Sequence, residues 1–255
     1  MAAEEDPETN PLVPKEKCDV RAILGTAIWG VQACRPAEAF AAAAIARHAH
    51  RPTANVVTVL LAFCAYLLEH REDELTINPK GNGIPTTYVD SSWGNDPTTM
   101  RSWFGYCILW AGCPFSFRSK LEPCVALSSR DAEAIGAVFA IKAMLSVLIV
   151  LTEMGLRPPE IPPMDIYVDN QPVVDNANSD RIHKDSRHLA LRLAWIRELV
   201  TDSMIRVRKI ATSANVADVF TKELGAAEHR RFRDVLMGTT GITMIACMVN
   251  RLWAS

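Results

Sequence analysis

The chain lacks the short signatures of a zinc site or a disulfide framework. Its seven cysteines, Cys18, Cys34, Cys64, Cys107, Cys113, Cys124 and Cys247, form no Cys-x-x-Cys pair and have no histidine ladder beside them. An odd, scattered set of thiols suits a reducing compartment. Strong net charge is also missing: 27 Lys and Arg against 29 Asp and Glu leave -2, which argues against a wholly basic nucleic-acid binder. The N-terminus, Met-Ala-Ala-Glu-Glu-Asp-Pro-Glu, is acidic and polar, so it is not a secretory signal, and an intracellular protein is expected.

What is present is a large apolar fraction, 49%, enough for a real core in 255 residues. Residues 134–151 are almost wholly apolar and about long enough to span a bilayer. Lys142 sits in their middle, and a helix buried against a sheet has the same appearance, so no membrane partner is expected. Charge is uneven along the chain. Residues 181–233 hold twelve Lys and Arg against six Asp and Glu, whereas residues 1–78 hold seven against eleven, so the C-terminal third is the part suited to face phosphates.

Residues 1–19, rich in Pro, Glu and Lys, read as a disordered N-terminus. Residues 20–77 read as a small helical segment of about three helices, broken at Arg35-Pro36 and Arg51-Pro52. The turn-rich stretch at 78–85 reads as a boundary. Beyond it the pattern predicts strands near 86–90, 103–110 and 115–118, with a turn at Gly112-Cys113-Pro114. A long helix follows, capped by Ser128 or Ser129 and ended near 154 by Gly155 and Pro158-Pro159. Next come a buried strand at 164–169, a short helix at 172–176, a helix at 187–201, a strand at 204–211 and helices near 214–224 and 227–237. The order predicts a three-layer α/β domain with a mixed five-stranded sheet over 84–237 and an apolar tail at 238–255.

The tripeptide Tyr-Val-Asp occurs twice, at 88–90 and 167–169, each time with the aspartate where a strand runs out. Four acidic residues suit convergence at the strand ends: Asp90, Glu133 in the first turns of the long helix, Asp169, and Asp218. Clustered carboxylates repel, so cations must neutralise them, and Mg2+ suits hard oxygen donors. Two ions about 3.5–4 Å apart would stabilise the attacking and leaving oxygens of a phosphoryl displacement. Singly, each carboxylate also fits a bland role: Asp90 opening a turn, Asp169-Asn170 capping a helix, Asp218 favouring a helix start. The tryptophans, Trp93, Trp103, Trp110 and Trp195 among them, read as core residues.

Tyr88-Val-Asp-Ser-Ser-Trp-Gly94, Ser116-Phe-Arg-Ser-Lys120, Val125-Ala-Leu-Ser-Ser-Arg-Asp-Ala-Glu133, Val168-Asp-Asn170, Ser186-Arg-His-Leu189 with Ile196-Arg-Glu198, and Ala217-Asp-Val-Phe-Thr-Lys222 occur in one order. Together they resemble the ribonuclease H domain of copia-type long-terminal-repeat retrotransposon Pol polyproteins. The preceding helices look like the segment joining that domain to a reverse transcriptase, with Arg35-Pro36 where the family usually has an Arg-Pro pair. The resemblance implies a ribonuclease H-like fold and cleavage of the RNA strand of RNA-DNA hybrids by two Mg2+ ions, with Mn2+ as the substitute. It makes Asp90, Glu133, Asp169 and Asp218 the metal-binding, catalytic carboxylates. Asn170, Ser128, Ser129, His188 and Arg187 become candidate substrate contacts, His188 being otherwise a surface or packing histidine. It also implies a reverse transcriptase portion of a parent polyprotein as partner, and a cytoplasmic virus-like particle or the nucleus as location. Tyr88-Val-Asp-Ser is not a polymerase Tyr-x-Asp-Asp box, so polymerase activity is not expected. Ala134, Ala190 and Ala194 depart from the family pattern, and no histidine lies between His188 and Asp218. The alternative is a catalytically inactive remnant or a nucleic-acid-binding module of the same fold.

Overall fold

A computed structural model describes residues 9–80, 83–156, 162–179 and 189–239. Three strands form an antiparallel meander: β1 (Thr86–Ser92), β2 (Trp103–Trp110) and β3 (Cys113–Leu121). β4 (Met164–Val168) runs parallel to β1, and β5 (Ile205–Lys209) runs parallel to β4, for a sheet order of β3-β2-β1-β4-β5. This is the mixed five-stranded sheet expected of a ribonuclease H-like fold. The β2–β3 turn is one residue earlier than predicted, at Ala111 (φ 50°) and Gly112 (φ 80°). Two consecutive left-handed residues make the tight turn whose twist matches a hairpin. Cys113 and Pro114 therefore fall in the ladder, opposite Trp110 and Leu109. Proline is tolerated there because β3 is an edge strand.

Both faces of the sheet are covered, so β2 is buried along most of its length instead of alternating. Its Phe104, Tyr106 and Ile108 pack with α4 (Ser129–Glu153), α5 (Gln171–Ala177) and α6 (Ala190–Thr201). Its Cys107 and Leu109 face the opposite layer, built from α1 (Val20–Cys34), α2 (Ala39–Ala46), α3 (Ala54–Glu69) and α7 (Ala226–Leu236). The turn-rich stretch at 78–85 is thus a linker in sequence, while one hydrophobic cluster joins the helices before it to the sheet after it. Arg35 fastens the helical layer by donating to the His70 carbonyl and lying 3.5 Å from Asp73. Arg47 pairs with the buried Asp96 in the β1–β2 loop, and Thr99 donates to the same carboxylate.

α4 is, among the described residues, the one helix long and apolar enough to cross a membrane, but 56% of that window is buried inside the protein. Lys142 lies 5.8 Å from the Trp195 ring, a cation–π arrangement that explains a lysine amid apolar neighbours.

Two expectations need correction. Disorder does not extend over residues 10–18: Leu12 bridges Thr53, Val13 N–H donates to the Pro52 carbonyl at 2.8 Å, and the Asn10 side chain accepts from Asn55 N–H at 2.9 Å. Composition does not reveal that the α2–α3 turn offers free backbone groups. The helix predicted near 214–224 is instead two 3-10 turns, Thr212–Ala214 and Val216–Phe220, the second capped by Asn215. The helix predicted from 187 is described only from Ala190. Residues 1–8, Arg187, His188 and residues 240–255 lie outside the described residues.

Two glycines set the spacing that matters for the site. A Cβ at Gly136 would collide with Ser91 Oγ and crowd Phe104, so α4 approaches β1 this closely only because position 136 carries no side chain. A Cβ at Gly105 would run into Phe220, which holds the 3-10 turn of Asp218 against β2. Gly136→Ala is therefore expected to cost about 1–3 kcal/mol in urea unfolding, with helical circular dichroism retained.

Candidate active site

β1 and β4 are neighbours, and their register pairs Tyr88 with Tyr167 and Val89 with Val168. The repeated tripeptide is thus laid side by side, with the tyrosine rings stacked 5.0 Å apart at 16°. Asp90 and Asp169 consequently stand at the same level of adjacent strands. Glu133 reaches them from the first turns of α4, one helical turn before Gly136. Carboxylate oxygens of Asp90, Glu133 and Asp169 all lie within 4.8 Å of one another. Asp90 and Glu133 are buried, and Asp169 is only partly so, which opens the cluster to solvent on its side.

Hydroxyls and amides position this group. Thr221 Oγ1 donates to Asp90 Oδ2, and Thr212 Oγ1 donates to Asp169 Oδ2 at 2.9 Å. Asn215 Nδ2 donates to the Val89 carbonyl at 3.0 Å while its Oδ1 accepts from Ala217 N–H, tying the turn that carries Asp218 to β1. Lys209 Nζ donates to the Asp169 carbonyl. Asp218 lies outside the group of three and pairs with Lys222, whose Nζ is 2.8 Å from Asp218 Oδ2 and 3.9 Å from Asp90 Oδ2.

Burial raises the Asp90 carboxyl above its ordinary range, with Lys222 and Thr221 opposing and Asp169 reinforcing the shift. Glu133 is raised well above the usual range, first by burial and then by Asp90 and Asp169. Burial together with Asp90 lifts Asp218 to about 7. Burial alone would lower Lys222, but Asp90 and Asp218 outweigh it and hold the ammonium above its usual value. Glu133 Oε2 and Asp218 Oδ1 are buried without a hydrogen-bond partner. Orphaned carboxylate oxygens beside further carboxylates form a hard donor set of the kind a divalent cation fits.

The predicted substrate contacts fare unevenly. Ser128 Oγ accepts from Asp131 N–H and Asn170 Oδ1 accepts from Val173 N–H, so both cap helices. Ser129 is exposed in the first turn of α4. Trp93 is 55% exposed, not core, and its indole N–H donates to the Ala126 carbonyl. The threonine donors, Asn215 and Lys209 were missed; Thr221 and Lys222 do lie within the motif at 217–222. Glu122 was missed as well. It is fully buried, neither of its oxygens has a hydrogen-bond partner, and burial and Asp131 push its carboxyl up to about 8.

The open mixed sheet, with carboxylates meeting at the ends of β1 and β4, has the strand order and mixed pairing expected of a ribonuclease H-like fold. No family model matches the chain. Its homologues are retrovirus-related Pol polyproteins of copia-type transposons. It is 31% identical over 199 residues to that of transposon TNT 1-94 of Nicotiana tabacum, covering 78% of this chain and 15% of the polyprotein. It is 26% identical over 239 residues to that of transposon RE1 of Arabidopsis thaliana, covering 89% of this chain and 16% of the polyprotein. The chain thus spans about a sixth of the length of these relatives. Among solved structures it is similar to a ribonuclease H1 of Halobacterium salinarum, at 15% identity and TM-score 0.39, covering 54% of this chain and 93% of that one. An N-terminal ribonuclease H domain from Mycobacterium tuberculosis gives 13% identity and TM-score 0.37, with 58% and 96% covered.

A carboxyl raised by folding keeps a proton that the unfolded chain gives up, so its contribution is intact below the ordinary carboxylate range and is lost as pH climbs through the folded value. In EDTA the melting temperature should fall as pH rises from about 5 to about 8, the Asp218 part being lost through about 7. Millimolar Mg2+ should flatten that fall. A metal-free melting temperature independent of pH over this range would contradict the cluster's electrostatics.

Proposed function

We propose that the chain is the ribonuclease H unit, with its preceding helical segment, of a copia-type Pol polyprotein, and that it hydrolyses the RNA strand of RNA-DNA hybrids inside the cell. The observation that carries this reading is the convergence of Asp90, Glu133 and Asp169, with Asp218 alongside, on an edge of the cluster open to solvent. These four carboxylates would hold two divalent ions, Mg2+ or, in its place, Mn2+. Bound there, such ions would lower the pKa of a water and stabilise charge on the attacking and departing oxygens of a displacement at phosphorus.

The protein's own part is positioning. Thr221 and Thr212 fix the rotamers of Asp90 and Asp169, and Gly136 lets Glu133 reach them. Buried carboxyls with raised proton affinity exchange their protons for metal, so binding releases protons. Ser128 and Asn170 use their side-chain oxygens as caps, which leaves the hydroxyl proton and the amide Nδ2 to donate to RNA 2′-hydroxyls. Ser129, Arg187 and His188 complete the proposed contacts to the hybrid. A reverse transcriptase portion of the parent polyprotein would supply the DNA strand, in a cytoplasmic particle or the nucleus.

The test is cleavage of a labelled RNA-DNA hybrid by the intact chain with Mg2+. Asp169→Asn should reduce the rate by about 10²–10³-fold or more with the fold intact. Equal cleavage by the variant, or none by the intact chain, rejects the catalytic reading. Hybrid binding without cleavage would instead mark a non-catalytic binding module, and neither binding nor cleavage a decayed remnant.

A further inference from the structure

The four carboxylates are not equivalent. Three of them, Asp90, Glu133 and Asp169, offer oxygens within 4.8 Å of one another. The fourth, Asp218, already has a cation: Lys222 Nζ at 2.8 Å from Oδ2. The same ammonium lies 3.9 Å from Asp90 Oδ2, so it stands on the edge that Asp90 and Asp218 share. Lys222 follows Thr221, whose hydroxyl is fixed on Asp90, and this anchors the lysine backbone beside the cluster. Its side chain is 33% exposed, so the ammonium has a route to solvent. Asp218 Oδ1 is buried and has no hydrogen-bond partner, leaving an acceptor for a second cation on the same edge.

We infer that the Lys222 ammonium holds the place of the second cation between Asp90 and Asp218, so that the resting chain takes one divalent ion tightly and a second only by displacing Lys222. The charges agree. Four ionised carboxylates and one ammonium leave -3; one divalent ion brings the site to -1, and a second, entering beside a retained ammonium, would bring it to +1. Coulomb repulsion at such short range in a poorly hydrated site opposes that entry until the lysine swings out. Lys222 is then a positioning residue that spaces the two binding events, and a substrate phosphate would be the natural receiver for the displaced ammonium. The inference rests on the metal-binding reading of the cluster proposed above.

The experiment is Mn2+ titration of the intact chain by calorimetry, with melts in EDTA to verify folding, on the unsubstituted protein, Lys222→Met and Lys222→Arg. One tight Mn2+ per unsubstituted chain is expected. Lys222→Met should gain a second, tightened by about tenfold or more, and should show a larger Mn2+-induced rise in melting temperature, because its Asp218 has lost a counter-ion. Lys222→Arg, if folded, should keep the single tight site. Two ions of equal affinity in the unsubstituted chain, or an unchanged second affinity in Lys222→Met, would overturn the inference while leaving the metal site standing. No Mn2+ bound by any of the three would overturn the metal site and the inference together.

Discussion

Keeping clustered carboxylates in a nearly dry site is the constraint on which the rest of this structure depends. Asp90 is 3% exposed, Glu133 5% and Asp218 2%, and each would be far cheaper to hold in water. Every neighbouring feature offsets that cost in some way. Thr221 and Thr212 donate hydroxyl protons, Lys222 contributes a positive charge, and Asp90, Glu133 and Asp218 hold protons more readily than ordinary carboxyls do. The glycines at 105 and 136 belong to the same economy of space, since a single methyl at either would drive apart the elements that bring the acids together. Stability here is sacrificed for a dense group of buried acids, the pattern expected where a fold departs from its own local rules.

The sheet can support such a site because both its faces are closed. α4, α5 and α6 close one, and the helical segment with α7 closes the other, through contacts with Cys107, Leu109 and the turn that carries Phe220. The helical segment is therefore not a passive lead-in. It braces the 3-10 turn of Asp218 from behind, while Arg47 and Asp96 join it to the loop after β1. Movement of that layer would be felt at Asp218, which the braced turn carries, and at Lys222 just after it.

Much of this was legible in the residues. β2 begins and ends where its apolar run does, and α4 starts at the serine pair and stops before Gly155. Asp90, Glu133 and Asp169 were readable because strand ends and an acid in an apolar helix start are unusual places for charge. The pairing of the two Tyr-Val-Asp segments was not, since register between strands nearly eighty residues apart leaves no mark in either. The turn around Asp218 was misread as a helix because an aspartate suits a helix start, and only Asn215, bonding both Val89 and Ala217, shows why the chain stays tight there. The residues near Leu12 were misread for the complementary reason: their order comes from backbone pairing with the Pro52-Thr53 turn, to which side-chain composition is blind.

The excess of basic residues between 181 and 233 also changes meaning once its partners are visible. Arg206 and Arg208 both bond Asp165, Arg233 lies beside Asp73 and Asp234, Arg197 donates to the Asn176 carbonyl, and Arg231 donates to the Ser213 carbonyl. These are structural obligations, and an arginine already engaged offers a phosphate less than a count of charges suggests. Lys222 and Lys209 differ, because their partners are the Asp90–Asp218 edge and the Asp169 carbonyl. Their positive charge is concentrated at the cluster itself, where it offsets the charge of the acids. Among the described residues, the positive charge of Lys222 and Lys209 is thus committed to the carboxylate site, while the arginines of the basic stretch are committed to the fold around it.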